Sequence, residues 1–172
     1  ISHGKVLLRP LERRDLPDIV RWFNRPEVRE YLLRFWPMAQ VEEERWYESY
    51  SRRDDARLYA IDTLAGGVHI GNVGLHELDW RHRSVTLGIM IGEPAYWGQG
   101  YGTEATRAIL HHLFDQLGLN RVRLTVFADN PRAIRCYGKC GFVVEGRLRQ
   151  ADYRDGQYVD ELIMAILRED YL

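Results

Sequence analysis

Three glycines at alternate positions, Gly98, Gly100 and Gly102, close the run Ile89-Met90-Ile91-Gly92-Glu93-Pro94-Ala95-Tyr96-Trp97-Gly98-Gln99-Gly100-Tyr101-Gly102, with Thr103 following. The run leads from an apolar strand pattern into a helix pattern. Glycine opens backbone angles closed to other residues and lets a ligand approach the main chain. A helix N-terminus adds unpaired amide hydrogens and the positive end of its dipole, so the chemistry this spacing could do is to seat a pyrophosphate. Two common phosphate motifs fail on spacing. A dinucleotide fingerprint needs G-x-G-x-x-G, and a Walker-type loop needs a lysine where Gly102 precedes Thr103. Taken alone, the turn is equally compatible with glycines that only relieve crowding between strand and helix. Cys136 and Cys140, four apart on one predicted helix and without nearby histidines, are too sparse for a disulfide framework or a zinc site, and no metal is expected.

The elements that must position this turn follow from periodicity. Val6-Leu7-Leu8 reads as a strand, and Asp15 as the N-cap of a helix carrying Leu16, Ile19, Val20 and Phe23 on one face. Asn24 and Pro26 end that helix, and Val28, Tyr31 and Leu32 mark a second piece. A loop, Arg34-Phe35-Trp36-Pro37-Met38, leads to a helix over 41–52. Exposed aromatics on such loops often line binding surfaces, although Phe35 and Trp36 could equally cover the core. Three strands over 58–62, 68–78 and 84–91 with short turns predict an antiparallel meander. The glycine turn, a helix over 103–117 ended by Gly118, and a strand over 121–128 predict one parallel crossover. A helix from Asn130 to about Cys140 and strands over 142–148 and 158–167 complete the chain. The expected fold is α/β (α+β): one domain over 1–172 with a mixed, mostly antiparallel central sheet of about seven strands flanked by helices.

The 172 residues are 45% apolar and 28% charged with a net charge of -1, the pattern of a folded globular domain. There is no apolar run of membrane-spanning length, no signal-peptide pattern and no basic block. The expectation is a cytoplasmic protein without nucleic-acid or membrane partners.

A second constellation, Asn130-Pro131-Arg132-Ala133-Ile134-Arg135-Cys136-Tyr137-Gly138-Lys139-Cys140-Gly141-Phe142, puts an Asn at a strand end, a Tyr seven residues on, and Gly-Phe at the close. With the glycine turn it resembles the GNAT superfamily of acetyl-coenzyme A dependent N-acetyltransferases. The superfamily turn pattern is Arg or Gln, two residues, Gly, one residue, Gly or Ala. The run from Trp97 to Gly102 matches it except at Trp97, and Trp-Gly-x-Gly looks like the branch that acetylates ribosomal-protein N-termini. The segment His82-Arg83-Ser84 and the stretch from Asn130 to Gly146 are similar to spermidine N-acetyltransferases.

The resemblance implies roles. Ile89, Met90 and Ile91 would pair with the pantetheine arm of acetyl-coenzyme A, and the amides of Trp97, Gly98, Gln99, Gly100, Tyr101, Gly102 and Thr103 would hold its pyrophosphate. Asn130 would hydrogen-bond the arm. Tyr137 would contact the cosubstrate and protonate the leaving thiolate, against the plainer reading of a core aromatic on a helix face. Many relatives carry a general-base Glu where Thr86 stands, which leaves Glu77, His76, Asp79 or water; strand alternation puts His76 and Glu77 on opposite faces. Spermidine relatives gather carboxylates at places that read Arg34-Phe35-Trp36, Gly74 and Thr86 here. The implied acceptor is therefore a peptide or protein N-terminus or a small-molecule amine, with Phe35 and Trp36 on its rim. A polyamine acceptor and a non-catalytic coenzyme A binding module stay open as alternatives, and a homodimer is an expected assembly.

Overall fold

Val6 and Leu8, Val73 and Leu75, and Val85 and Leu87 are alternate residues of extended segments, and all six are nearly inaccessible to solvent. That is what a sheet with a helix-covered face requires. The computed structural model describes residues 1–32 and 36–171. Its strands are β1 (Ser2–His3), β2 (Val6–Pro10), β3 (Arg57–Thr63), β4 (His69–Asp79), β5 (Ser84–Ile91), β6 (Arg121–Phe127), β7 (Val143–Arg154) and β8 (Gln157–Leu167). They form one eight-stranded sheet in the order β1-β2-β3-β4-β5-β6-β8-β7. The count exceeds the expected seven because Ser2 and His3 pair with Leu7 and Val6.

The helices are α1 (Leu16–Phe23), α2 (Pro26–Arg29), α3 (Gln40–Ser51), α4 (Tyr101–His111), α5 (Pro131–Lys139) and α6 (Arg168–Tyr171). On one face, α4 and α5 cover the main core, in which Ile109, Leu113 and Phe114 meet Leu8, Ile70 and Leu124. On the other face, Leu16, Ile19 and Trp22 of α1 and Val28 of α2 pack with Leu11 and Ala60.

The site is made by the one parallel pair. β5 and β6 are in register at only three positions, Ser84 with Arg121, Val85 with Val122, and Thr86 with Arg123. Beyond Thr86 they part, while β5 stays paired with β4 as far as Ile91. An open wedge results, with one edge of β5 lacking a strand partner.

Three sequence expectations are corrected. Asp15 makes no cap bond to α1. Its carboxylate instead accepts two hydrogen bonds of 2.8 Å from Arg9 and one of 2.8 Å from the Glu12 amide. Helix α4 begins at Tyr101 rather than Thr103, because Gly100 takes φ +85° and becomes its N-cap. β7 continues past Leu148 to Arg154 through a register shift between Leu148 and Asp152, with Gln150 at φ +52°.

Candidate active site

The turn after β5 presents its main chain. Gly98 and Gly100 have φ of +71° and +85°, which favour glycine. Among the described residues, the amides from Gly98 to Thr103 donate to no acceptor within the chain, and the first α4 amide with a partner is that of Glu104, to the Gly100 carbonyl at 3.0 Å. Gly102 is different. It lies inside α4, and a Cβ there would meet only the Cys136 sulfur at 3.5 Å and Ile91 at 3.8 Å. We therefore expect Gly100→Ala to raise the KM for acetyl-coenzyme A at least fivefold, since alanine resists φ +85°, while Gly102→Ala keeps it within about twofold. Initial-rate kinetics of the two variants check this, and equal effects would contradict it.

Trp97 ties the turn to the sheet. Its indole Nε1 donates to the Ile91 carbonyl at 2.7 Å, and the Arg132 guanidinium sits 4.1 Å from its ring centroid. Gln99 faces away from the cavity lining. Its side chain donates to the Ala95 carbonyl at 2.6 Å and its own carbonyl accepts from the Lys5 ammonium, which also sits 4.3 Å from the Tyr101 ring centroid.

Two cavities meet in the wedge. The first, about 290 Å³, is lined by Ile89, Ile91, Trp97, Gly98, Gly100, Tyr101, Gly102, Thr103 and Tyr137, with Arg132, Arg135 and Lys139 contributing positive charge. Free amides and three cations suit a pyrophosphate, and the open β5 edge suits the amide-bearing arm attached to it. Gly92 N–H donates to Ile70 at 2.8 Å, so alternation turns the Met90 main chain toward β4 and those of Ile89 and Ile91 toward the wedge. Met90 is thus corrected as a main-chain partner of the arm; its side chain lines the second cavity.

That second cavity, about 500 Å³, opens on the opposite face of the sheet and shares Ile89, Ile91, Trp97, Ala133 and Tyr137 with the first. Asn130 lines it while its side-chain oxygen caps α5, accepting from the Ala133 amide at 3.2 Å. Tyr137 stands where the cavities join. Its ring packs on Phe142 at 5.7 Å, its hydroxyl has no hydrogen-bond partner among the described residues, and burial pushes its phenol above the ordinary value. It is a protonated donor beside the junction.

Of the base candidates, the structure brings one to the cavity. His76 lines it, and burial, helped by Arg53 and Arg123, pushes its imidazole below the usual value, so it is neutral at pH 7. Glu77 is displaced by a β4 irregularity between His76 and Asp79 that gives it φ +54°. It accepts from Thr86 Oγ1 at 2.6 Å and from Arg123 at 2.7 Å, bonds that hold it below the usual carboxylate range. It does not line either cavity, which corrects its placement. Asp79 is engaged at the β4 end by His82 at 2.8 Å. Phe35 lies outside the described residues, and Trp36, 82% exposed, lines neither cavity.

Residues the sequence reading missed line the second cavity as well. Glu27 lies on α2 and Tyr31 just after it, and Glu161 comes from β8, opposite Phe127 of β6. Among the described residues no Lys or Arg is in that lining. The helical spacing of Val28, Tyr31 and Leu32 pointed to α2, but nothing local marks Glu161.

The acetyltransferase (GNAT) domain family matches residues 5–143. The chain belongs to the GNAT acetyltransferase family. It is 33% identical over 171 residues to the spermidine N(1)-acetyltransferase of Escherichia coli (strain K12), covering 99% of this chain and 90% of that enzyme. A putative ribosomal N-acetyltransferase of Bacillus subtilis (strain 168) is 30% identical over 122 residues, 70% of this chain and 66% of that protein. Among solved structures, the spermidine N-acetyltransferase from Vibrio cholerae in complex with CoA and spermine superposes with a TM-score of 0.89 at 31% identity, covering 97% of this chain and 98% of that one. This GNAT protein is an acetyl-coenzyme A dependent N-acetyltransferase, and its sheet with flanking helices is the GNAT fold. Among the described residues no group of three or more His, Cys, Asp or Glu is placed to hold a metal, and no helix is long and apolar enough to cross a membrane.

Proposed function

We propose that this GNAT enzyme acetylates a primary amine of a cationic acceptor of the polyamine class, bound in the second cavity. One observation carries the reading: among the described residues, the cavity wall holds the carboxylates of Glu27 and Glu161 and no Lys or Arg. Such a wall attracts an ammonium-bearing chain and disfavours an anionic one. The spermidine acetyltransferases among the relatives support the same acceptor.

Acetyl-coenzyme A, when bound, supplies an activated acetyl thioester. The Gly98–Thr103 amides, with Arg132, Arg135 and Lys139, seat its pyrophosphate in this reading, and the Ile89 and Ile91 main chains hold its arm. Asn130 fixes the start of α5 and so places Tyr137 at the junction. The acceptor enters from the other face, so amine and thioester meet directly in a ternary complex. His76 accepts the proton that the ammonium must lose, by contact or through water, and Tyr137 Oη delivers one to the departing sulfur. Two protons leave the nitrogen on the way from ammonium to amide: the first passes by way of His76 to solvent, and the second restores the Tyr137 hydroxyl after it has protonated the sulfur as the C–S bond breaks, so ammonium and thioester give amide, thiol and one released proton.

A neutral imidazole sets the sign of the pH dependence. Activity falls as His76 becomes protonated, so kcat/KM drops on the acid side with a midpoint below the ordinary histidine value of about 6.5. His76→Gln is expected to remove that limb and lower the plateau about tenfold or more. An unchanged acid limb in this variant would assign the proton to water.

The acceptor is tested by free-thiol release from acetyl-coenzyme A with spermidine, spermine, putrescine, amino acids and N-terminal peptides. The expected result is the highest kcat/KM with a polyamine. Turnover of peptides but not of polyamines would replace the reading with the peptide N-terminus, and no acceptor-dependent release from any member would favour a coenzyme A binding module.

A further inference from the structure

Lys5 and Gln99 are 94 residues apart in the chain, yet the Lys5 ammonium donates to the Gln99 main-chain carbonyl and sits 4.3 Å from the centroid of the Tyr101 ring. The base of this side chain is fixed. Lys5 occupies the short turn between β1 and β2, its own carbonyl accepts from the Leu64 amide at 2.9 Å, and the next residue, Val6, is fully buried. The same hairpin is tied to α4 a second time, where His3 Nδ1 meets Glu104 Oε2 at 2.7 Å. Tyr101, beside the ammonium, opens α4, lines the first cavity and packs edge-on to Tyr96 at 5.2 Å.

The Gln99 carbonyl shares a peptide unit with the Gly100 amide. In a trans peptide the two point in opposite directions, so an outward carbonyl aims the N–H inward. Gly100 is part of the cavity lining and Gln99 is outside it, as that orientation requires. The unit has an alternative. Gly100 has φ +85° and ψ 0°, the third-residue angles of a type II turn, and turning the 99–100 peptide over gives the type I form, with φ of about −90°. Glycine takes both signs of φ about equally readily, so the residue itself does not choose. Hydrogen bonding within the turn does not choose either, because among the described residues the Tyr101 amide donates to no acceptor. The Gln99 side chain, bonded to the Ala95 carbonyl at 2.6 Å, holds its residue but leaves the carbonyl free to turn.

We propose that Lys5 is a positioning residue for acetyl-coenzyme A: by holding the Gln99 carbonyl outward, it keeps the Gly100 N–H aimed into the first cavity for the pyrophosphate. This rests on the reading of the Gly98–Thr103 amides as the pyrophosphate seat. Lys5 does not itself line the cavity, so it acts through the turn. A flipped unit would remove one amide from the seat and set a carbonyl oxygen against the anion. Without the ammonium, the competent orientation is only a fraction of the free protein, and the apparent affinity falls by that fraction. Tyr137 is untouched, so the loss is one of binding and not of the chemical step.

The test is calorimetric titration with CoA and with dephospho-CoA, which keeps the pyrophosphate and lacks the 3′-phosphate. It compares wild type, Lys5→Met, Lys5→Arg and Gly100→Ala, each checked by thermal melting. Methionine keeps the apolar stem but donates nothing, whereas arginine keeps a donor and a cation. Lys5→Met is expected to raise the Kd of both ligands at least threefold and by the same factor, and Lys5→Arg to stay within twofold of wild type. In turnover, Lys5→Met raises the KM for acetyl-coenzyme A and leaves kcat within twofold. A Kd within twofold of wild type in Lys5→Met, while Gly100→Ala weakens binding, overturns the role of Lys5 and leaves the pyrophosphate seat standing. Loss confined to CoA, with dephospho-CoA unaffected, overturns it as well and makes Lys5 a direct ligand of the 3′-phosphate. Equal losses in Lys5→Met and Lys5→Arg overturn donation to Gln99 as the cause. Binding unchanged in both Gly100→Ala and Lys5→Met overturns the seat together with its brace.

Discussion

Tyr137→Phe is expected to lower kcat about a hundredfold, and by no less than tenfold, with the KM for acetyl-coenzyme A unchanged within twofold. Phenylalanine keeps the ring and its packing on Phe142 at 5.7 Å, so only the hydroxyl is lost. That hydroxyl stands at the junction of the two cavities with no hydrogen-bond partner among the described residues, and burial pushes its phenol above the ordinary value, which keeps it protonated. A positioned proton donor contributes about 10²- to 10⁴-fold, whereas holding two reactants in line accounts for roughly 7–11 kcal/mol of barrier. The variant should therefore retain clear activity, because the glycine turn, the β5 edge and the acceptor cavity are untouched. Single-turnover measurement of thiol release separates the chemical step from product release. A kcat within twofold of wild type would remove Tyr137 from proton transfer and return it to the role of a core aromatic.

Gly92→Ala should unfold at a melting temperature about 2–12 °C below wild type and bind acetyl-coenzyme A more weakly. Gly92 follows β5, and a Cβ there would lie 2.1 Å from Cδ2 and 2.3 Å from Cε3 of Trp22. Trp22 has no room to yield. It is fully buried, its ring lies 4.8 Å from that of His69, and its Nε1 donates to Glu93 at 3.1 Å. Glu93 is held in turn by Arg25 at 2.7 Å and Arg21 at 3.1 Å. Overpacking a fixed site costs about 1–3 kcal/mol, which in a chain of this size corresponds to about 2–4 °C per kcal/mol. The main chain is the part that can move, and Gly92 leads into the glycine turn proposed to seat the pyrophosphate. Calorimetric melting with and without CoA reads both effects. Trp22→Leu combined with Gly92→Ala should cost less than the sum of the two single changes, because the smaller side chain removes the clash. A Gly92→Ala protein melting within 1 °C of wild type would show that the contact relaxes freely.

The two predictions differ in how much of their basis the sequence carries. Tyr137 stands out from the chain alone, since Asn130, Tyr137 and Gly141 fall within one strand-to-helix unit whose local spacing a helix preserves. The glycine turn is equally local, and the meander and the crossover follow from the order of strands and helices that short-range periodicity reveals. Trp22 beneath Gly92 is not local. Seventy residues separate them, and only the packing of α1 against the end of β5 reveals that glycine is required there.

The same division explains the carboxylates. A period of two tells which face of a strand a residue occupies but not where the period breaks. The β4 irregularity turns Glu77 toward Thr86 and Arg123 and leaves His76 at the cavity. The β7 register shift carries the strand on to Arg154, past the Leu148 at which the sequence reading ended it. The scan for acids at Arg34-Phe35-Trp36, Gly74 and Thr86 therefore missed those supplied by α2 and β8.

By itself the sequence determined the family, the cosubstrate and the order of strands and helices, and it singled out the glycine turn and Tyr137, because these are written in short spacings that local geometry preserves. The tertiary structure alone decided where β5 and β6 part, which carboxylates line the second cavity, and which base candidate reaches it. Each of these depends on register and bulges between strands distant in the chain, and those are set by packing energy summed over the whole sheet.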